Sequence, residues 1–436
     1  MRSFNTRSRV AIAASAVAML ALAGCSSDDS GSASAGDAVN QNLDGRGAIS
    51  FAMGKNDTDK LQPVIDKWNA AHPDEKVSLK ELPGEADDQR NKLEQSLQAG
   101  NADYDVMALD VVWTAGFAAN GWLQPLEGGL AIDTAPLLPA TVESATYRGT
   151  LYAAPQNTNA QLLYYRTDLM PTAPADWKAL TDSCQIAKDK GVQDCMVTQL
   201  KQYEGLTANT TQFINSWGGS VVGADGSTPE VTSPEAKAGM QAMVDAYQAG
   251  QIAKRSTGFT EEETALAFVG GESMYAYNWP YMWDNAQKDG SKVKGNVAVA
   301  PIVGPNGAGA STVGGYNNGI NVFSKNKATA RDFIAFVQND ENQMSFADAA
   351  FPPVLKSVYD DAALQAKYPY LPALKAALES AKPRPVTPYY TAISKAIQDN
   401  ASAALNGKVT VDQAATDMAS AITNAAKYSP HTREIR

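Results

Sequence analysis

Six short stretches set flat aromatic rings beside side chains that exchange hydrogen bonds. They are Asp110-Val111-Val112-Trp113; residues 152–165, with Tyr152, Asn159, Tyr164 and Tyr165; Tyr203-Glu204-Gly205-Leu206; residues 275–283, with Asn278 and Trp279; Gly314-Gly315-Tyr316; and Arg384-Pro385-Val386-Thr387-Pro388. Rings offer faces to C–H surfaces, while Asp, Asn, Gln and Arg offer acceptors and donors to hydroxyls, so this chemistry suits recognition of a sugar. A carboxylate accepts two hydroxyls, each charge-assisted bond contributing roughly 1.5–3 kcal/mol. Taken singly, each ring is better explained by core packing, Asp110 by capping after a strand, and Arg384 by a salt bridge. Trp113, Trp122 and Trp217 are assigned to packing.

Signatures of bond chemistry are missing. HExxH, CxxC, GxSxG and GxGxxG do not occur, and His72 and His431 are the only histidines, so a histidine-based triad has no basis. Residues 290–295 have P-loop spacing, but Asn296 stands where the lysine is required. A glycosidase needs only two carboxylates, and 47 acidic residues leave that open while nothing marks a pair. No cofactor or metal is expected.

The chain begins with Arg2, Arg7 and Arg9, an apolar run over 10–23, and Leu22-Ala23-Gly24-Cys25. That is a secretory signal, too short for the about 20 apolar residues of a membrane span. It has the look of a bacterial lipoprotein signal, residues 1–24, with the mature chain starting at a lipidated Cys25; an ordinary secretory signal is the alternative. Residues 26–38 are mainly Ser, Gly, Ala and Asp, so 25–46 reads as a flexible tether. The expected location is the extracytoplasmic face of the cell membrane, held by lipid alone. Cleavage removes three arginines and no acid, taking the charge from -11 to -14. Such a surface disfavours nucleic acid. In an oxidising compartment, Cys184 and Cys195 are expected to form a disulfide, since a metal reading lacks further ligands.

The elements that would position these groups are legible. Residues 48–53, 77–82 and 105–109 read as strands. Between them lie one helix with Leu61, Val64, Ile65 and Trp68 behind an Asp57 or Thr58 cap, and a second with Leu93 and Leu97 that stops at Gly100. This β-α-β-α-β order predicts an α/β unit with a parallel sheet, whose ligands sit beyond the carboxyl ends of the strands. Asp110 and Lys55-Asn56-Asp57 occupy such places. Further helices are predicted around Ala330, Phe333, Ile334 and Val337, and around Val411, Ala414, Ala415, Met418 and Ile422 after Thr410. About 390 residues exceed one hydrophobic core, so two lobes are expected.

In order along the chain, the six stretches, with Phe117-Ala118-Ala119-Asn120-Gly121-Trp122-Leu123, resemble extracellular solute-binding proteins of carbohydrate ABC importers, in the branch that takes maltose and trehalose. The resemblance implies a two-lobed periplasmic-binding-protein-like clamp of type II, α/β, each lobe a mixed, mainly parallel sheet flanked by helices. It implies lobes of 47–156 with 310–355 and 157–309 with 356–436, crossing near Pro155, Gly307 and Pro353. It also implies a monomer that docks on a membrane permease and performs no bond chemistry. Residue by residue, Asp110 matches the acid that holds two sugar hydroxyls, Asn159 a polar position often Asp in relatives, and Trp279 the ring under a glucose unit. Gly315 matches a backbone contact that admits the sugar closely, and Arg384 a donor to ring hydroxyls; Asn56, Gln89 and Glu204 are further matches. Trehalose is the favoured ligand. Maltose, maltodextrin or a glycerophosphodiester on the same fold, and a surface glycosidase, are the alternatives.

Overall fold

Two sheets organise the molecule, and one stretch of chain runs through both. The computed structural model describes residues 35–223 and 225–428. The signal over 1–24, Cys25 and its lipidation, the first part of the tether and His431 lie outside the described residues.

The first sheet has five strands in the order Val77–Leu82, Ile49–Gly54, Val106–Asp110, Val313–Ile320, Ala153–Ala160. The first three are parallel, as their alternation with the helices Thr58–Ala71 and Ala86–Gln98 predicts. Ile49–Gly54 is buried along its whole length because helices cover both faces. From the helix Thr58–Ala71, Leu61, Val64, Ile65 and Trp68 are buried. Trp68 meets Phe333 edge to face at 5.6 Å, on the helix Lys327–Val337 that also buries Ala330, Ile334 and Val337.

The second sheet has the order Val297–Pro301, Leu162–Arg166, Ser273–Asn278, Asp194–Val197. Both sheets are mixed, but here two pairings are antiparallel and one is parallel, so the mainly parallel character is confined to the first three strands. The reason lies in the crossings. The chain leaves the first sheet at Ala160 and enters the second at Leu162, with only Gln161 between; on its return it leaves at Pro301 and re-enters the first at Val313. Outgoing and returning segments lie side by side in both sheets, so they pair antiparallel.

Helices Glu204–Ser216, Pro234–Gln248, Tyr390–Leu405 and Val411–Tyr428 share one core with the second sheet through Leu206, Phe213, Met240, Met243, Ile393, Ile397, Met418 and Ile422. Thr410 Oγ1 accepts from Gln413 N at 3.2 Å, which makes it the cap its sequence position predicts. Cys184 and Cys195 are bonded, joining the helix Cys184–Asp189 to the strand Asp194–Val197. Trp113 and Trp122 pack against Phe117, and Trp217 against Phe213 and Trp177. The last part of the expected tether rests on the body: Lys327 Nζ donates to Ala38 O at 2.7 Å, and Arg46 pairs with Glu75 and Asp332 at 3.1 and 2.7 Å.

Candidate ligand-binding cleft

All eight sequence-predicted binding residues line one cavity of about 750 Å³ including its mouth: Asn56, Gln89, Asp110, Asn159, Glu204, Trp279, Gly315 and Arg384. Asp57, Glu261, Tyr281, Gly314 and Tyr316 complete much of the wall.

The carboxyl ends of the three parallel strands supply one side. The turn Lys55–Asp57 follows Ile49–Gly54, and Asn56 Nδ2 donates to Gly84 O at 3.1 Å. Gln89 Nε2 donates to the same carbonyl at 3.3 Å, and its side chain crosses Gly54, where an added Cβ would come within 2.4 Å of it. Asp110 ends the third strand. Its Oδ1 accepts from Val112 N at 3.2 Å and from Arg384 Nη2 at 2.9 Å, so it serves both as a turn cap and in an ion pair.

Arg384 joins two acids. Its Nη1 lies 2.5 Å from Glu204 Oε1, and its side chain is 2% exposed. Burial works against the charged guanidinium, but Asp110, Tyr390 and Glu204 around it outweigh that and raise its pKa. Glu204 opens the helix Glu204–Ser216, a favourable place for an acid. Its oxygens also accept from the Tyr390 hydroxyl and from Ser394 Oγ at 2.6 Å. Arg384, expected to donate to ring hydroxyls, therefore has both Nη atoms occupied by carboxylates, and Glu204 is held within the protein. Their place is the cavity wall, where they fix Asp110. Nε of Arg384 has no partner among the described residues.

Trp279 follows the strand Ser273–Asn278 and is held through its backbone: its N–H donates to Asn278 Oδ1 at 2.8 Å, and its carbonyl accepts from the Tyr164 hydroxyl at 2.9 Å. The glycines opposite divide their work differently from expectation. Gly314 pairs with Asn159, and a Cβ there would lie 2.9 Å from the Trp279 ring. Gly315 has φ +116°, and its Cβ would strike Asn157 O at 2.4 Å, so its demand comes from the neighbouring strand rather than from the cavity.

Asp57 and Glu261 form the most unusual part of the wall. Burial lifts the Asp57 carboxyl to about 7, partly offset by Lys60 and by a hydrogen bond with Tyr316. Burial likewise raises Glu261, against hydrogen bonds from Tyr203, at 2.6 Å, and from Trp279. Asp57 belongs to the turn flagged after the first strand, Tyr281 and Tyr316 to flagged aromatic clusters. Glu261 carried no signal, because Glu261-Glu262-Glu263 behind the Thr260 capping box reads as ordinary first-turn acids.

As a hydrogen-bonding inventory the cavity is rich in acceptors. Gln89 Oε1 and Asn159 Oδ1 are buried without partners among the described residues, beside four carboxyl groups. A ligand must therefore bring donors, and a ring face can rest on Trp279. Among the described residues, no group of three or more His, Cys, Asp or Glu side chains could hold a metal ion, and no helix is long and apolar enough to cross a membrane.

Paired sheets, a through-running double crossing and a polar cleft define a two-lobed α/β clamp. The chain belongs to the bacterial extracellular solute-binding protein family, whose pattern matches residues 54–344. It is 30% identical over 341 residues to a protein of Deinococcus radiodurans described as "Probable ABC transporter-binding protein", covering 76% of this chain and 80% of that one. Maltose-bound MalE3 of T. maritima superposes with a TM-score of 0.81 at 33% identity, over 86% of this chain and 98% of that one. The GacH receptor of Streptomyces glaucescens, known unliganded and with acarbose, gives 0.78 over 88% and 99%; at 22% identity it shares the fold.

Proposed function

We propose that this protein is the sugar-capturing lipoprotein of an ABC importer, anchored through Cys25, with lobes 47–156 plus 310–355 and 157–309 plus 356–436. Its ligand is an α-glucoside disaccharide, trehalose before maltose. The observation that carries this reading is the Trp279 ring in one cavity with four carboxyl groups and two unpartnered amide oxygens. Sugar hydroxyls supply the missing donors, and the ring supports a C–H face. Ligand contacts on both lobes favour the closed state over the open one, and that state docks on the permease.

The preference for trehalose rests on Trp279 and on Asp110, which Arg384 holds in the cavity wall. Maltose is the second reading, favoured by the maltose-bound relative at 33% identity. A glycerophosphodiester fits poorly, because the one guanidinium in the wall already holds two carboxylates. Isothermal titration with trehalose, maltose and maltotriose tests the proposal. Tight one-to-one binding of trehalose over maltose supports it in full. The reverse order replaces the ligand and keeps the class, and no binding of any of the three overturns the sugar reading.

A further inference from the structure

The charges in the cleft do not balance, and the imbalance has a location. Four carboxyl groups line the cavity, Asp57, Asp110, Glu204 and Glu261, against a single cation, Arg384. Arg384 contacts Asp110 and Glu204, at 2.9 and 2.5 Å. Asp57 and Glu261 are left without such a partner: Asp57 is buried and Glu261 half-buried, Glu261 acts on Asp57 as a like charge, and Asp110 acts so on Glu261. Lys60, the cation that acts on Asp57, is itself committed to Asp59 at 2.8 Å and to Asp284 at 3.7 Å. The other groups at these acids are phenols and an indole: Tyr316 at Asp57, Tyr203 and Trp279 at Glu261.

A third acceptor stands in the same wall. Gln89 is 2% exposed, its Nε2 is held by Gly84 O, and its Oε1 has no partner among the described residues. A neutral sugar can donate hydroxyls to these atoms, yet it leaves Asp57, buried, and Glu261, half-buried, without a cation, an unfavourable state for their ionised forms. An ammonium group carries three donors, no acceptor and the missing charge.

We propose that the cleft is built for an amino-bearing sugar whose ammonium is received by the wall formed by Asp57, Glu261 and Gln89, while Trp279 and Asp110 take the glucoside part. This rests on the sugar-binding reading above and narrows its ligand class. Arg384 bridges Asp110 and Glu204 and offsets one of their two charges, whereas no ion pair among the described residues reaches Asp57 or Glu261.

The test is isothermal titration of the unaltered protein at pH 7 with trehalose and maltose, and with their 2-amino-2-deoxy and 6-amino-6-deoxy derivatives and N-acetylated forms. At least one amine should bind tenfold or more tightly than its parent sugar, and N-acetylation, which removes the charge, should abolish that advantage. Asp57→Asn and Glu261→Gln should each reduce the amine-to-parent ratio at least threefold. If the neutral parents bind and no amine binds more tightly, this inference falls and the sugar reading stands. An advantage that survives N-acetylation also overturns it, because charge is then not its source. If neither parents nor amines bind, the sugar reading itself fails.

Discussion

Replacing Asp57 by Asn should change the pH dependence of stability in the ligand-free protein. The carboxyl titrates at about 7 in the folded chain against an ordinary 3.8, chiefly because burial disfavours its charge. A raised folded pKa means the folded state holds the proton more tightly than the unfolded state. The contribution is complete below about 3.8 and is lost as pH rises through about 7. At about 1.4 kcal/mol per tenfold difference in proton affinity, ionised Asp57 costs the fold about 4 kcal/mol above pH 7, of which about 3 is lost between pH 5 and pH 8. Asn keeps an acceptor for Tyr316 and cannot ionise. Urea unfolding of both proteins at pH 5 and pH 8 should therefore show their stability difference moving by about 3 kcal/mol in favour of Asp57→Asn as pH rises. A difference that stays constant across this window would refute the reasoning, since any packing effect of the substitution is independent of pH.

Arg384→Ala should destabilise by about 3–5 kcal/mol, because Asp110 and Glu204 are then left as buried, unpaired acids; thermal unfolding would reveal it, and an unchanged Tm would count against the bridge. Trp279→Ala should weaken sugar binding by about 2–4 kcal/mol with little loss of fold, as titration and circular dichroism can check together. Replacing Cys184 and Cys195 together by Ser opens a link of sequence separation 11 and should lower stability by about 3 kcal/mol on chain-entropy grounds, measured by urea unfolding without reductant.

Much of this molecule was legible because its local rules agree. Residues 48–53, 77–82 and 105–109 became strands within a residue of their predicted bounds, since apolar runs bounded by polar turns leave little choice. Cavity-lining residues at or just beyond strand ends, Asp110 and Asn56, were visible for the same reason. The direction of strand pairing in the second sheet was not, because it depends on where the returning segment 297–320 lies in space, and composition carries no trace of that. Glu261 escaped notice because an acid in a first helical turn is normal; only folding brings it beside Asp57. Arg384 was found, but which groups its guanidinium contacts depends on Glu204, 180 residues earlier in the chain.

The two crossing segments, 153–166 and 297–320, are paired with each other on either side of their change of sheet. Such a connection behaves as a ribbon. It bends readily across its width, at Gln161 and in the stretch 302–312, but rotation about its length would shear the backbone ladders that hold its two edges together. In the proposed clamp this ribbon favours bending over twisting, a motion that would carry Trp279, attached to the second sheet, toward Asp110 at the end of the first.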